Sequence, residues 1–425
     1  MSHGYTREGL QRSKLFESWG NENNKAWQKI YDIYRFLHKN PGRSVDEKEA
    51  ADRAAEFLQR LKDNNKLSDE EFYLRKNIGG GDGGSGKAGG VDAPAPDFGP
   101  SVVGLFKNGD GPAVSLRADM DAIPVQEETG LKYASMKPGV MHACGHDLHM
   151  TTLIAAAKAL PGEESGLGAL GMIKGGLYGS KCPNFVFGGY VTPEQTGTVS
   201  LIRGIAYSRS DSWRITFKGR GRHGSRSEAT IDPVVMSAYA ITRLQTVVSR
   251  VVPPAELGVL TVGVAYFKVN IRAGSDEVAE LMKKHMRNIV EFKADAAILK
   301  GDQDVSHVPL LKNEDKIADE TAGSFTAVFN KQFIYPVEGV SGSEDFAVLA
   351  RSNPKSDKVD IPYCYWRYGA TDPKRRDDYS GHLDNGPSNH NSEFYPQLEV
   401  TDPKDPLKMG AKALCAGGLG KWNLK

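Results

Sequence analysis

Three histidines, a cysteine and an aspartate lie within ten residues of the chain, in the segment MHACGHDLHM at 141–150. Thiolate and imidazole groups bind divalent transition metals, and imidazole also transfers protons near neutral pH. Cys144 and His146 come just before the pattern of a helix at 147–160, and a helix start favours a thiolate. The segment therefore predicts a metal site or a catalytic centre rather than a set of unrelated surface histidines.

The charge and cysteine content narrow the class of function. The 425 residues carry 54 basic and 53 acidic side chains, a net charge of +1, which predicts no binding to nucleic acid or to an anionic membrane. The first residues lack the apolar core of a secretion signal, and no window is apolar enough for a transmembrane span. The four cysteines show no disulfide spacing, which is typical of a reducing compartment, so we expect a cytoplasmic protein.

The order of predicted elements indicates two domains, as expected for a chain of this length. An amphipathic helix is predicted at 24–38, and a Gly-rich tract at 79–99 is expected to be a flexible surface insertion. A block at 208–304 has the order strand, helix, strand, strand, helix, typical of helices on a small antiparallel sheet. Because α/β character returns after it, we expect a catalytic domain formed by 20–207 and 305–425.

Two pairs of acidic residues add to the candidate site. Apolar runs on either side of an Asn-Gly-Asp-Gly turn at 108–111 predict a β-hairpin. The second run leads to Asp119 and Asp121 at the carboxyl end of a strand, where open α/β sheets carry their chemistry. Glu163 and Glu164 are adjacent, so one can ligate a metal while the other transfers a proton.

The segment LRADMDAIPVQEETGLKYASMKPGVMHACGHD, at 116–147, resembles the signature of the dinuclear metallo-amidohydrolases of N-acyl amino acids, the aminoacylase, hippurate hydrolase and auxin-conjugate hydrolase type. Shorter segments similar to this family follow in its order from about residue 25 onward, among them PGEESGLGALGMIKGGLYG, FKGRGRHG, GSEDFAVL and NHNSEF. The resemblance implies an α/β fold: a zinc-exopeptidase-like catalytic domain with an inserted α+β, ferredoxin-like lid or dimerisation domain. We therefore expect the block at 208–304 to pair two chains into a homodimer.

The resemblance also implies the metal-binding residues. Cys144, His146, Glu164 and His390 match metal ligands, and Glu163 matches the general base that takes a proton from water. The metal is expected to be Zn²⁺ or, as second choice, Mn²⁺, with one or two ions per chain, because a mixed set of Cys, His and carboxylate ligands suits metals of intermediate softness.

Further residues match positions around the substrate. His223 resembles the histidine that the inserted domain presents to the substrate's carboxylate or to the developing oxyanion, so it is both a catalytic and a substrate-binding candidate. Asp119 resembles an active-site residue that orients a ligand or a metal-bound group, and Glu344 is expected in the same polar surroundings. His142 and His149 are expected to support the site or the fold rather than to bind metal.

Two departures from the family pattern bear on activity. The helix at 147–160 runs directly into Pro161, so the strand that precedes the two glutamates in the family is missing. Tyr190 stands where the family has another metal-binding histidine. A phenol with an ordinary pKa near 10 is a poor ligand at neutral pH, so one metal position is expected to be weak or empty.

These observations predict metal-dependent hydrolysis of the amide bond in N-acyl amino acids or similar small conjugates. The alternative, favoured by Tyr190 and the missing strand, is a catalytically impaired or inactive member of the family that acts as a binding or scaffold protein. A dipeptide exopeptidase is a further alternative, and the Cys-Gly-His-Asp segment favours the amidohydrolases over it.

Overall fold

The structure, a computed structural model, divides the chain into two compact units. The first comprises Met1–Arg203, Asn313–Val337 and Val348–Lys425, and the second comprises Gly204–Lys312 and Glu338–Ala347. The residues that the structure describes are 24–69, 71–78, 100–106, 112–159, 164–166, 182–217, 219–221, 230–263, 268–291, 304–350, 360–374 and 386–422. The Gly-rich tract at 79–99 lies outside these ranges, so the prediction of a flexible insertion stays a prediction.

Among the described residues, the first unit is built on a mixed sheet of eight strands. In spatial order these are β1 (Phe72–Lys76), β2 (Val102–Phe106), β4 (Glu164–Gly166), β3 (Val114–Arg117), β5 (Phe185–Gln195), β14 (Tyr363–Thr371), β6 (Val199–Ile202) and β13 (Phe333–Val337). The four strands from β4 to β14 run parallel. All nine residues of β14 are buried, as expected for a strand covered on both faces.

Helices pack against this sheet and bury its apolar side chains. They are α1 (Asn24–Lys39), α2 (Lys48–Asn65), α3 (His146–Ala159), α6 (Asp315–Phe329) and α7 (Pro406–Trp422). At the centre of the core the ring of Trp366 in β14 lies 5.0 Å from the ring of Phe325 in α6. None of the helices in the described ranges combines the length and the apolar character that crossing a bilayer requires.

The predicted hairpin around residues 108–111 is wrong. β2 pairs antiparallel with β4, and β4 pairs parallel with β3, so the two apolar runs are not neighbours in the sheet. The place beside β3 is taken by the three-residue β4, which contains Glu164. β3 itself ends at Arg117, so Asp119 and Asp121 follow its carboxyl end, as predicted.

The second unit has a βαββαβ order. Its elements are β8 (Arg209–Arg214), α4 (Pro233–Arg250), β9 (Gly258–Gly263), β10 (Lys268–Ala273), α5 (Asp276–Glu291) and β11 (Asp304–Val308), with short strands β7 (Gly204–Tyr207) and β12 (Leu311–Asn313) at its ends. The antiparallel sheet has the order β11-β8-β10-β9, which is the ferredoxin-like arrangement. The predicted ferredoxin-like class is therefore confirmed.

The chain leaves the first unit after β6 and returns to it at Asn313. The buried side chain of Asn313 donates hydrogen bonds to the carbonyls of Ile202, at 2.9 Å, and Tyr365, at 2.8 Å. It also accepts a hydrogen bond of 2.8 Å from the amide of Tyr365. The end of β6, the start of β14 and the residue that follows the insertion are thereby joined.

Candidate metal centre

Cys144 and His146 are held by a tight turn at 142–146, the cysteine turn, at the start of α3. Gly145 between them has a φ of 79°, and a Cβ atom there would lie 2.4 Å from Cγ1 of Val191. Glycine is required because no other residue combines this conformation with such a close approach. The amide of Gly145 donates to the carbonyl of His142 at 2.9 Å. His142 is itself buried, and neither of its ring nitrogens bonds to any residue of the described ranges.

The thiol of Cys144 contacts two imidazoles. Cys144 is buried, and hydrogen bonds join its thiol to His146 and His390. Burial alone raises the pKa of the thiol, but the two imidazoles outweigh it and lower this pKa to about 6. Cys144 is therefore a thiolate at neutral pH, which is the form that binds a metal. Three of the residues predicted as ligands thus meet at one point.

His390 reaches the thiol through an uncommon backbone conformation. Its φ is 73°, in the left-handed region where His is enriched among residues other than glycine. Its amide donates to the carbonyl of Ala143 at 2.8 Å. Nδ2 of Asn389 donates to the carbonyls of Cys144, at 3.2 Å, and Val191, at 3.3 Å. These main-chain contacts fix His390 beside the cysteine turn.

The imidazole of His146 is oriented by Asp121. Nδ1 of His146 lies 2.8 Å from the carbonyl oxygen and 2.9 Å from Oδ1 of Asp121, whose Oδ2 accepts a hydrogen bond of 2.8 Å from the hydroxyl of Ser44. Because Nδ1 donates to Asp121, Nε2 remains as the ligand atom, an arrangement common for metal-binding histidines. Burial lowers the pKa of His146, but the hydrogen bonds to Asp121 and Cys144 outweigh it and hold this pKa well above its ordinary value.

Asp119 lies between an arginine and a histidine. Its Oδ1 forms an ion pair with the guanidinium of Arg117, and its Oδ2 lies 3.7 Å from Nδ1 of His149. Burial raises the pKa of Asp119, but the positive charge of Arg117 and the nearby imidazoles outweigh it and hold this pKa below its usual range. Asp119 is therefore a fixed anion beside the cysteine turn.

Tyr190 packs its ring against two histidines of α3. The ring centroid lies 4.8 Å from that of His149 and 6.0 Å from that of His146. Burial lowers the pKa of His149 to about 4, so its ring is neutral at pH 7. Asp119, His146 and His149 each present one potential ligand atom, and these three atoms lie within 4.8 Å of one another.

The structure describes the remaining predicted site residues only in part. Glu163 and His223 lie outside the described residues. The backbone of Glu164 pairs with Ser115 in the sheet, and its side chain is outside the described part. Glu344 belongs to the second unit, where its buried carboxylate accepts a hydrogen bond of 3.1 Å from the amide of Phe346. The roles predicted for these residues stay predictions.

Comparison with known proteins places the chain in a family. Residues 115–371 match the family described as Peptidase family M20/M25/M40. The hippurate hydrolase of Campylobacter jejuni is 34% identical over 278 residues, which cover 58% of this chain and 72% of that protein. The N-acetyldiaminopimelate deacetylase of Streptococcus sanguinis is 31% identical over 278 residues, which cover 58% of this chain and 73% of that protein. The chain belongs to peptidase family M20/M25/M40.

Solved structures confirm the M20 fold. A protein described as an aminohydrolase from methicillin-resistant Staphylococcus aureus superimposes with a TM-score of 0.66 at 23% identity, covering 97% of this chain and 100% of that chain. A dinuclear metal-binding peptidase of the M20 family from Bacillus subtilis has a TM-score of 0.59 at 20% identity, covering 93% and 98%. The family resemblance and the fold class predicted from the sequence are both confirmed.

The described residues of this M20 chain fit a divalent metal. Cys144 supplies a thiolate, His146 supplies an Nε2 atom whose orientation Asp121 fixes, and His390 contacts the same thiol. A buried set of sulfur and nitrogen donors suits Zn²⁺. Together with the family, this donor set makes the protein a metal-dependent hydrolase of amide bonds.

Sequence reasoning missed a buried triad behind the cysteine turn. Nδ1 of His38 lies 2.7 Å from Oδ2 of Asp147, and Nε2 lies 3.1 Å from Oε1 of Glu127. Burial lowers the pKa of His38, but its bonds to the two carboxylates outweigh it and raise this pKa to about 9. No spacing connects the three residues in the sequence. The one available signal was a histidine at the end of an amphipathic helix.

Proposed function

We propose that the chain hydrolyses the amide bond of N-acyl amino acids or similar small conjugates, with Zn²⁺ or Mn²⁺ bound by Cys144, His146, Glu164 and His390. The observation that carries the proposal is the contact of the Cys144 thiolate with two imidazoles. The names of the relatives, hippurate hydrolase and N-acetyldiaminopimelate deacetylase, support the substrate class.

The residues around the metal position divide the work of the reaction. When bound, a divalent metal polarises the amide carbonyl and lowers the pKa of water. Asp121 keeps Nε2 of His146 directed at the site, because it holds the opposite nitrogen, Nδ1. Glu163 is proposed to accept a proton from the attacking water and to donate it to the leaving amine, the work of a general base and acid.

Three residues are proposed to act on the substrate and on the polar groups around it. His223 binds the carboxylate of the substrate or the developing oxyanion. Asp119 provides a fixed negative charge that orients the groups beside the cysteine turn. Glu344 contributes to the polar surroundings of the substrate. All three roles follow from the family resemblance, and for Asp119 the ion pair with Arg117 adds support.

The test combines metal analysis with an assay. We expect purified protein to retain zinc or manganese and to hydrolyse members of a panel of hippurate and N-acetyl amino acids. Cys144→Ala should lose both metal and turnover. Cys182 is an exposed cysteine, so Cys182→Ala is the matched control and should keep both. Equal metal content in wild type and Cys144→Ala would contradict the proposed site.

Tyr190 favours a second candidate function, a metal-binding protein with impaired catalysis. Its phenol ring lies against His146 and His149, at a position where the family pattern has an imidazole. Full metal binding without turnover on any member of the panel would support this candidate over the first.

We also propose that the second unit pairs two copies of the chain. Val234, Ile241 and Val248 on α4 are 74%, 37% and 36% exposed. Their spacing of seven residues places them in one row along the helix, and an exposed apolar row of this kind marks an interaction surface. Sedimentation at micromolar concentration should show a dimer.

A pair of variants on α4 tests this surface. Ile241→Glu should give a monomer, because it places a charge in the apolar row. Arg243→Glu, about 160° away around the helix at 3.6 residues per turn, is the matched control and should remain dimeric. A monomeric wild type would contradict the proposal.

A further inference from the structure

Tyr190 stands where the family pattern has a metal-binding histidine, and the imidazole of His149 lies close enough to take the place of that ligand. One potential ligand atom from each of Asp119, His146 and His149 lies within 4.8 Å of the others. Of the two ring nitrogens of His149, Nδ1 lies 3.7 Å from Oδ2 of Asp119. Distances alone therefore allow a metal between these residues, and the hydrogen bonds of the two ring nitrogens decide whether His149 has an atom free to bind it.

The opposite nitrogen of His149 accepts a hydrogen bond from the main chain. The amide of Val191 donates to Nε2 of His149 at 2.9 Å. β3 pairs with β5 only as far as the partners Arg117 and Gly188, so Val191 lies beyond the end of that ladder. Both Val191 and His149 are buried, and a buried amide requires an acceptor.

This hydrogen bond fixes the tautomer of the ring. A nitrogen that accepts an N–H bond carries no proton, so the single proton of the neutral ring is on Nδ1. Nδ1 then has no lone pair to offer a metal. Moving the proton to Nε2 would place two N–H groups against each other and leave the buried amide of Val191 without an acceptor.

We infer that His149 is a positioning residue and not a metal ligand: its protonated Nδ1 lies 3.7 Å from Oδ2 of Asp119 and, together with the ion pair of Arg117 with Oδ1, holds that carboxylate beside the metal centre. The catalytic role of the positioned Asp119 rests on the proposed amide hydrolysis, whereas the assignment of the His149 tautomer does not depend on it. His149 therefore does not supply the imidazole ligand that is absent at position 190.

The tautomer can be measured directly. Long-range ¹H–¹⁵N correlation spectra of ¹⁵N-histidine-labelled protein distinguish Nδ1–H from Nε2–H, and the spectrum of His149→Asn identifies the signals of His149. We expect the Nδ1–H tautomer in both metal-free and zinc-loaded protein. An Nε2–H tautomer in the loaded protein would overturn the inference. The measurement needs no turnover, so it remains decisive if the chain hydrolyses no N-acyl amino acid.

Variants separate positioning from ligation. At saturating zinc, His149→Ala should bind as many ions per chain as wild type, whereas Cys144→Ala, the ligand control, should bind fewer. Loss of a supporting partner typically reduces activity about 10- to 100-fold, and we expect this loss in the kcat of His149→Ala with little change in KM. His149→Asn should recover most of it, because its amide offers one donor and one acceptor. Loss of a zinc ion from His149→Ala, or an unchanged kcat, would overturn the inference.

Discussion

His38 and Asp147 are 109 residues apart in the chain, yet Nδ1 of His38 lies 2.7 Å from the carboxylate of Asp147 in a buried contact. Asp147 directly follows His146, so this contact ties the end of α1 to the first turn of α3. Glu127 engages the other ring nitrogen of His38. One imidazolium between two carboxylates therefore anchors the helix that carries the candidate metal ligand His146.

Removal of this imidazolium should destabilise the fold. In His38→Leu the carboxylates of Asp147 and Glu127 stay buried without their cation, and breaking a buried pair in this way typically costs about 3–5 kcal/mol. We expect a loss of that size in the free energy of unfolding measured with urea. His285 on α5 is only partly buried, so His285→Leu is the control. Equal losses in the two variants would contradict a special role of His38.

The same triad predicts a dependence of stability on pH. The pKa of His38 rises from 6.5 to about 9 on folding, so its stabilising contribution is complete below about pH 6.5 and is lost as the pH rises through 9. Between these values the contribution falls by about 1.4 kcal/mol per pH unit. The control is a neutral triad, His38→Leu with Asp147→Asn and Glu127→Gln. The difference in free energy of unfolding between wild type and this variant should shrink from pH 6.5 to 9, and a constant difference would be evidence against the ion pairs.

Gly145 provides a test of the cysteine turn. Gly145→Ala meets both a positive φ and a contact of 2.4 Å with Val191, so it should displace Cys144 and His146 and reduce bound metal. Gly130 has a φ of 69° with nothing within 4 Å of an added Cβ, so Gly130→Ala isolates the conformational cost, about 1–2 kcal/mol. We expect elemental analysis to show the metal content of wild type in Gly130→Ala and a lower metal content in Gly145→Ala. Normal metal in both variants would mean that the close approach to Val191 does not position the ligands.

The number of metal ions should respond to residue 190. Wild type is expected to hold one tightly bound ion per chain, and Tyr190→His should raise this to two, because an imidazole replaces the phenol beside His146 and His149. Tyr190→Phe retains the ring without the hydroxyl and should still hold one. Loss of metal from Tyr190→Phe would mean that the phenol is itself a ligand. Two tightly bound ions in wild type would contradict the prediction and would mean that either Tyr190 or another residue in its place completes the second position.

The sequence was informative where the chemistry is contiguous. Asp119, Asp121, Cys144 and His146 belong to one segment with a specific signature. In the structure, Asp121 and Cys144 are both hydrogen-bonded to His146. The ferredoxin-like unit was also predictable, because the alternation of its strands and helices is regular and local. Such features depend on neighbours along the chain, which a single sequence displays.

Contacts between distant segments left no such pattern. β4 separates β2 from β3, and a strand of three residues is too short to show a period of two. The buried pair of His38 and Asp147 depends on how two helices pack. The amide of Val191 decides the tautomer of His149. Nearly every residue has such an amide, so the sequence does not indicate which one donates to the ring.

The hydrogen bonds of the Asn313 side chain bear on which segments of this protein can be replaced, by engineering or in evolution. Because one buried amide joins the end of β6 to β14 and to the residue where the chain returns, the exit and re-entry points of the insertion are neighbours. The intervening residues begin and end at the same place in the first unit. The entropic cost of closing such a segment increases only slowly with its length. A short turn from Arg203 to Asn313 would bridge the same gap. The unit can therefore be exchanged as a cassette when Gly204–Lys312 and its second segment, Glu338–Ala347, are replaced together, while the strand register of the catalytic sheet is kept.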